Sequence, residues 1–588
     1  MKHGFTKLNE KLFLSKEISG IGSAGTLRLL RGSVARMLNF IGRSLSYTST
    51  RSYGSFLLSF GIVSLLLNLG EYYFRSAPEV SLASLIVSFA LAAISIPLLI
   101  VDRPMCVILQ DMAFTDHVLF EFLTIKRMHR NVKHASIPPL TALFIGFVPA
   151  LISFFVPMHI VILVMVLALT VSIALTSPEF SMMLTLIVLP YLPALPHSLL
   201  ILCCLSLLTV LSYGWKVILG KRVFNFDVYS VLVIILGVTA FISGLVSEGS
   251  GAFKSSLGFI AVIIAYFPIS NMISNRRLAD NAINAVIVSA LPIMALSVIE
   301  FIVEHPKTSY TPPSYSTEGT SALFSSPSAL AAYMIVAVIA TLTFAIEKRN
   351  KIKKTFYFTV SVLEIAVLGL IMLPEAWLAV VISALVYPLI RSRKIPADLA
   401  LLFVFAPLLV FVLSPSVLDS VSEFFGASFS FTERMKGYEE ALRVFSENIP
   451  FGTGIGASAY MKNALSDTAG IFNTFLAIAC QLGVFALAAF LGLILLRMRH
   501  FSYYRHYLRS SLVVTPGEMT TLALATLLSF GMLYDVFGDP TVLYLFWSVF
   551  GISSAALRIA KKENDDRQGY YGDSRSAESS ALDIGLND

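Results

Sequence analysis

The chain has 588 residues, of which 56% are hydrophobic and 13% are charged. An ordinary soluble domain is about a quarter charged, so no water-soluble fold could bury this much apolar surface. Runs of about 20 apolar residues, the length that crosses a bilayer as a helix, recur along the sequence and predict an all-α polytopic membrane protein.

The net charge of +7 comes from short basic clusters that lie between apolar runs. This arrangement is typical of membrane topology rather than of nucleic-acid binding, so no nucleic-acid partner is expected. The four cysteines, Cys106, Cys203, Cys204 and Cys480, show neither CxxC spacing nor nearby histidines. The sequence therefore predicts neither a disulfide framework nor a zinc site. No other metal and no cofactor are expected.

Apolar runs begin near residues 54, 81, 138, 159, 180, 198, 228, 257, 281, 328, 355, 376, 398, 471, 517 and 541. They predict about 14–16 transmembrane helices, because the separators within the pairs near 159/180 and 376/398 are short. Residues 1–50 are basic and fairly polar, with no cleavable signal.

The predicted organisation has five parts. They are a cytoplasmic basic segment at 1–50, N-terminal transmembrane helices at 51–302, a region at 303–500 with a large outer loop at 415–470, C-terminal transmembrane helices at 501–560, and a disordered cytoplasmic tail at 561–588.

Lysine and arginine clusters indicate the orientation, because cytoplasmic loops are enriched in both. Alternating spans place the clusters at 126–133, 216–222, 276–277, 348–354, 391–394 and 497–509 on the cytoplasmic side. The outer face then receives the segments at 71–80, 247–256, 303–327, 415–470 and 534–540. The sequence predicts a multi-pass protein of the cell membrane with both termini in the cytoplasm, and a solvated His500.

The large outer loop contains a predicted amphipathic helix followed by a glycine turn. Met435, Tyr438, Leu442 and Phe445 recur at helical spacing. Pro450 ends the helix. Gly452, Gly454 and Gly456 then form a loop whose backbone amides could approach a ligand closely.

The same segment contains Arg434, Lys436, Arg443 and Lys462, and arginine is suited to bidentate contacts with phosphate. These cations predict a site for a phosphate-bearing lipid headgroup. The alternative is that the charges solvate an interfacial helix and the glycines only form a turn.

From Arg434 through Tyr438 and the 450–456 turn to Asn473, the sequence resembles the O-antigen ligase and polymerase family. A second patch, SSPSALAAY at 325–333, is similar to that family's N-P-N-x-L-A-x-Y. The resemblance covers roughly residues 300–500.

The resemblance implies a multispanning glycosyltransferase that moves a glycan from an undecaprenyl diphosphate carrier to an acceptor, with no metal and no nucleotide sugar. It implies that Arg434 holds the diphosphate and that Gly452, Gly454, Gly456, Tyr438, Lys436 and Asn473 bind substrate. The implied partners are membrane lipid, the carrier-linked glycan and other glycan-assembly proteins.

Two departures leave catalysis open. The family's histidine falls on Phe472, which cannot accept a proton, and one family arginine falls near Glu375. Asp467 is the candidate replacement base, with Glu375 and His305 as alternatives, each of which is also interpreted as a solvated loop residue. The two main hypotheses are a glycan transferase or polymerase and a noncatalytic membrane partner of glycan assembly. A glycan exporter is a third, less supported by spans that contain almost no charge.

Overall fold

The computed structural model describes residues 16–18, 49–75, 82–100, 139–155, 170–171, 174, 177–218, 222–247, 251–304, 321–347, 350–371, 373–391, 431–456, 473–511 and 513–584. Its α-helices are α1 Thr50–Arg75, α2 Leu82–Ile100, α3 Pro139–Phe155, α4 Pro178–Val188, α5 Ser198–Ile218, α6 Val228–Val246, α7 Ala252–Ile263, α8 Tyr266–Met272, α9 Arg276–Glu304, α10 Pro327–Glu347, α11 Lys351–Leu370, α12 Pro374–Arg391, α13 Phe431–Glu447, α14 Thr474–Ser510, α15 Val514–Gly531 and α16 Pro540–Ile584. Short 3-10 helices cover Leu189–Ala194 and Val536–Gly538.

Eight of the described helices are long and apolar enough to cross a membrane. They cover Thr50–Leu69, Ser198–Ile218, Val228–Val246, Ala252–Met272, Arg276–Val303, Pro327–Glu347, Thr474–Phe501 and Pro540–Asn564. The predicted all-α polytopic membrane fold is therefore confirmed. The runs predicted to begin near 159 and 398 lie outside the described residues, so the total of 14–16 spans stays a prediction.

Two short strands depart from the all-helical pattern. Strand β1, Lys16–Ile18, pairs antiparallel with β2, Phe224–Phe226, and Lys16 lies opposite Phe226. The pairing joins the basic N-terminal segment to the chain just after the basic cluster at 216–222. Both segments were predicted on the cytoplasmic side, and their pairing agrees with that placement.

The described chain divides into two compact units. The first contains residues 1–18, 182–210 and 223–588. Its core surrounds α10 and α16, whose apolar stretches are 89% and 94% buried. Alanines recur along α10, and small side chains let neighbouring helices approach closely inside a membrane. The largest buried side chains of this core are Trp547, Tyr266, Tyr333, Tyr544 and Phe530.

The second unit contains residues 19–181 and 211–222. Helix α1 packs against α2 and α3, with Phe60 and Ala150 at the buried centre. The Glu179 carboxylate forms ion pairs with Arg222 and with Lys216, whose Nζ lies 3.6 Å from Glu179 Oε2.

The C-terminal helix extends into the segment that was predicted to be a disordered tail. Helix α16 continues past residue 561 and ends at Ile584. The tail contains no proline, and extending an existing helix avoids the cost of nucleating a new one. The disordered, cytoplasmic character of residues 561–588 stays a prediction.

Candidate functional site

Helix α13 was predicted from its spacing and is confirmed, but the buried face is turned relative to the prediction. Ala441 is fully buried against Ala477 and Cys480 of α14, and the Cys480 thiol donates to the Ala441 carbonyl at 3.0 Å. Leu442, predicted on the apolar face, is 54% exposed. The small side chain of Ala441 allows the close approach of α14, so the contact is centred there.

The charges of α13 form local ion pairs on the exposed side of the helix. Arg443 Nη1 lies 2.9 Å from Glu447 Oε1, and the guanidinium also donates to both carboxylate oxygens of Glu440. The hydrogen bonds from Arg443 lower the pKa of the Glu440 carboxyl. The predicted cationic face is therefore partly neutralised at Arg443.

The remaining predicted cations are less defined. Arg434 and Lys436 lie in α13, but the structure describes only their backbone. Lys462 also lies outside the described residues, as does Asp467, the candidate base. Tyr438 is half-buried on the same helix. Their roles in binding or catalysis stay predictions.

Helix α14 is broken at Gly483, and the glycine turn fills the break. Gly483 has φ +83° and ψ −175°, which interrupts the helical hydrogen bonds. The Thr453 amide donates to the Cys480 carbonyl at 2.8 Å, and the Gly454 amide donates to the Gln481 carbonyl at 2.9 Å. In return, the Val484 amide donates to the Pro450 carbonyl at 3.1 Å. The turn thus satisfies backbone groups that the break leaves open.

The junction between the glycine turn and the break in α14 is also bonded by α6 and by Ser247, the residue that follows α6. The Ser243 hydroxyl donates to the Gln481 carbonyl and the Ser247 hydroxyl donates to the Thr453 carbonyl, both at 2.6 Å. A Cβ at Gly454 would lie 2.6 Å from Ser247 Oγ. The fit between turn and helix therefore requires glycine at that position.

The backbone amides of the glycine turn form hydrogen bonds within the chain. The amides of Gly452, Thr453 and Gly454 donate to carbonyls of the chain, the first to Asn448 at 2.9 Å. Those three donors are therefore already occupied in the structure. Gly456 is exposed. Contact between Gly452, Gly454 or Gly456 and substrate stays a prediction.

Asn473 begins α14 and connects it to the segment between α15 and α16, which we call the 532–539 loop. Asn473 Oδ1 accepts from the amides of Phe475 at 2.8 Å and Leu476 at 3.2 Å, and Nδ2 donates to the Met532 carbonyl at 3.1 Å. Thr474 adds two bonds of 2.9 Å, donating to the Tyr534 carbonyl and accepting from the Val536 amide. Asn473 therefore caps a helix and fixes a loop. Its predicted substrate contact is untested.

The 532–539 loop and the start of α10 enclose a cavity of about 200 Å³. Its walls are Ser325, Ser326, Ser328, Ala329, Phe530, Tyr534, Asp535, Val536, Gly538 and Asp539. The three serines belong to the 325–333 patch that carried part of the family resemblance. This cavity is therefore a polar concave site outside the glycine turn.

The two aspartates of the cavity are bonded differently. Asp539 Oδ1 accepts from the Thr541 amide at 2.7 Å and caps α16, while Oδ2 accepts from the Ser325 hydroxyl. Asp535 Oδ1 accepts from the Phe537 amide at 3.2 Å. Burial raises the pKa of Asp535 to about 7, although the backbone amides of Phe537 and Gly538 act in the opposite direction. Asp535 is therefore a carboxyl group that can exchange a proton near neutral pH.

Sequence analysis placed 534–540 on the outer face but assigned no site to it. The available signal was the D-V-F-G-D spacing, with two carboxylates in one short connection. Of the two alternatives to Asp467, His305 lies outside the described residues. Phe472, the position of the family's histidine, also lies outside them. Glu375 is 4% exposed, so its interpretation as a solvated loop residue is wrong.

Two basic residues of the 497–509 cluster are also buried. His500, predicted to be solvated, is 1% exposed, and its Nδ1 lies 2.6 Å from the Tyr229 hydroxyl. Arg497 is 5% exposed and donates to Thr521 Oγ1 and to Ser553. Helix α14 is packed as far as Phe501, so Arg497 and His500 are buried although sequence patterning placed them in a cytoplasmic cluster. Within the described residues, no His, Cys, Asp or Glu cluster could hold a metal ion.

Comparison with known proteins gives one family match. Residues 374–491 match the family model described as O-antigen ligase. The matched segment includes α12, α13, the glycine turn, Asn473 and the broken part of α14. A search of curated proteins finds no match to the chain. The family match confirms the resemblance within residues 374–491 and supports a role in the assembly of cell-surface glycans, while the 325–333 patch lies outside the match.

Proposed function

We propose, on the premise that residues 374–491 form a divergent O-antigen ligase segment, that this protein transfers or polymerises a glycan from an undecaprenyl diphosphate carrier on the outer face of the cytoplasmic membrane. The main support is the order of Arg434, Tyr438, the 450–456 turn and Asn473 inside the matched segment. The carrier lipid would lie beside the membrane helices, and the transferred glycan would face water.

The ion pairs of α13 bear on which of its arginines would contact the diphosphate. Arg443, near the C-terminal end, is paired with Glu440 and Glu447. Arg434 lies more than two turns earlier on the same helix. A diphosphate needs cationic partners, and arginine can contact two of its oxygens at once. We therefore assign the diphosphate contact to Arg434 rather than to Arg443.

The test uses cells that lack the protein and measures the amount of undecaprenyl-diphosphate-linked glycan. Wild-type protein should relieve an accumulation of that intermediate. Arg434→Ala should fail to relieve it, because the diphosphate loses its charge partner. Arg443→Ala is the matched control, an arginine on the same helix with partners of its own, and should complement like wild type.

Equal complementation by wild type and Arg434→Ala, with both proteins present at equal levels, would remove Arg434 from the site. Absence of accumulation in the deletion strain would overturn carrier-linked transfer itself.

A second candidate function is a noncatalytic partner of glycan assembly. It is favoured by Phe472, where the family has a histidine, and by Glu375, where it has an arginine. In that case Phe472→His would leave the rate of glycan transfer unchanged, and Arg434→Ala would affect complementation only through the protein's association with other assembly proteins.

A further inference from the structure

We propose that the Asp535 carboxylate, in the cavity between the 532–539 loop and residues 325–329, is the general base that accepts the proton of the acceptor hydroxyl. The inference rests on the proposed glycan transfer and names the residue that activates its nucleophile. It differs from the candidate drawn from the sequence, Asp467.

The cavity has the size and lining that a hydroxyl-rich acceptor requires. Its volume of about 200 Å³ exceeds that of several water molecules at ~30 Å³ each, and is enough for part of a sugar ring. Ser325, Ser326 and Ser328 line one wall, and each hydroxyl can donate and accept a hydrogen bond. Tyr534 stacks on Phe530 at 5.7 Å and adds an aromatic edge.

Of the two carboxylates in the cavity, Asp535 is the one suited to proton transfer. Both oxygens of Asp539 are used, one by the backbone of α16 and one by Ser325. Asp535 contacts backbone amides of its own turn and forms no ion pair with the described residues. A base must accept a proton without breaking the structure around it. Protonation of Asp539 would weaken the cap of the long helix α16, whereas Asp535 caps only the three-residue 3-10 helix Val536–Gly538.

The position of Asp535 along the chain also fits the matched segment. Thr474 bonds the 532–539 loop at two points, and Asn473 bonds it at a third. These residues directly follow Phe472, whose side chain cannot take a proton. The 532–539 loop therefore brings a titratable carboxyl group close to the N-terminal end of α14.

In the proposed step, the acceptor hydroxyl oxygen forms a bond to the anomeric carbon of the carrier-linked sugar. The bond from that carbon to the diphosphate oxygen breaks, and its electron pair leaves with the lipid diphosphate. The hydroxyl proton passes to Asp535, which then releases it to water. The products are the glycosylated acceptor, the free lipid diphosphate and one proton.

The pH dependence follows from the groups that line the cavity. Burial raises the pKa of Asp535 to about 7, so its base form predominates above that pH and its acid form below it. Within the described part of the lining, Asp539 and Tyr534 are the other titratable groups. The segments that face Asp535 at the start of α10 and the end of α15 present serines, Ala329 and Phe530, none of which titrates near neutral pH. The N-terminal end of α14 presents Asn473 and Thr474, which do not titrate there either. The transfer rate should therefore rise with pH through one inflection near neutrality.

The experiment measures kcat from about pH 5.5 to about pH 8.5 for the full-length protein in lipid vesicles. The donor is an undecaprenyl-diphosphate-linked oligosaccharide and the acceptor is a hydroxyl-bearing oligosaccharide. Asp535→Asn keeps an oxygen for the Phe537 amide but removes the base. We expect kcat to fall about 10²–10⁴-fold and the inflection near neutral pH to disappear. Asp535→Glu should retain part of the rate.

Asp539→Asn is the matched control, because it removes a carboxylate from the same cavity while keeping an oxygen for the Thr541 amide. It should retain the inflection, whatever its effect on thermal stability. An Asp535→Asn protein that keeps the inflection, or loses stability without changing the pH profile of its folded fraction, would overturn the assignment. If Arg434→Ala is inactive while Asp535→Asn is active, only the base is overturned. If wild type transfers nothing, both proposals fail.

Discussion

Gly483 is the residue on which the conformation of α14 depends. Its φ of +83° is unfavourable for any residue with a Cβ, and a Cβ there would overlap the Pro450 carbonyl oxygen. Gly483→Ala should therefore destabilise the protein by about 3 kcal/mol or more, the sum of backbone strain and overpacking. The measurement is thermal unfolding of the purified protein in detergent.

Gly456→Ala provides the control for that substitution. Gly456 also has a positive φ, +89°, but the nearest atom to its added Cβ is Ser255 Oγ at 3.4 Å. It should lose only the backbone contribution, about 1 kcal/mol. Equal losses at the two glycines would show that strain alone, without the contact to the turn, accounts for the effect at Gly483.

The sequence predicted several of these residues but not their partners. A G-x-G-x-G turn after Pro450 is visible as a local pattern, and so is the helix before it. The carbonyls that the turn satisfies belong to Cys480 and Gln481, almost thirty residues later, and nothing in the spacing links them. The same holds for Asp535, whose elevated pKa depends on burial by distant segments.

At the scale of the element, helix boundaries were more predictable than helix faces. The spacing of apolar residues predicted α13, and Pro450 predicted its end. The buried face nevertheless centres on Ala441, because a small residue permits the close approach of α14. Hydrophobic spacing indicates which side chains prefer an apolar environment. Both lipid and protein provide such an environment, so Leu442 can remain exposed on the surface of the protein.

Helix α6 makes a testable contribution to the junction between the turn and α14. Ser247→Ala removes the hydrogen bond to the Thr453 carbonyl and should cost about 1 kcal/mol of unfolding free energy. Chemical denaturation in mixed detergent would measure that change. Thr239→Val on the same helix is the control, since Thr239 bonds only the Leu236 carbonyl within its own helix. A smaller loss at Ser247 than at Thr239 would contradict the supporting role of α6.

At the scale of the whole molecule, several segments that were predicted on the same face of the membrane contact one another. The 247–256 connection contacts the glycine turn, and residues 325–329 contact the 532–539 loop. All four segments were predicted on the outer face from lysine and arginine clusters alone. On the predicted cytoplasmic side, Arg276 pairs with Glu347 across α9 and α10. Segments assigned to one side of the membrane therefore meet each other.

The positions of several spans were predicted correctly, and the total number of spans stays a prediction. Runs beginning near 54, 198, 228, 328 and 541 correspond to candidate spans of the structure. Run length and hydropathy define each of these independently of its neighbours. Short separators, as in the pair near 159/180, require knowledge of where the chain reverses direction, and a single sequence contains no such information.

Orientation is the whole-molecule prediction on which both proposed sites depend. In a background with Cys106, Cys203, Cys204 and Cys480 replaced by alanine, Ser446→Cys on exposed α13 should react with a membrane-impermeant maleimide in intact cells. Lys353→Cys, exposed at the start of α11, should react only after the membrane is permeabilised. The expectation follows from the basic cluster at 348–354, which favours the cytoplasm. The reverse labelling pattern would place Arg434 and Asp535 in the cytoplasm, where a glycan acceptor on the outer face could not reach them.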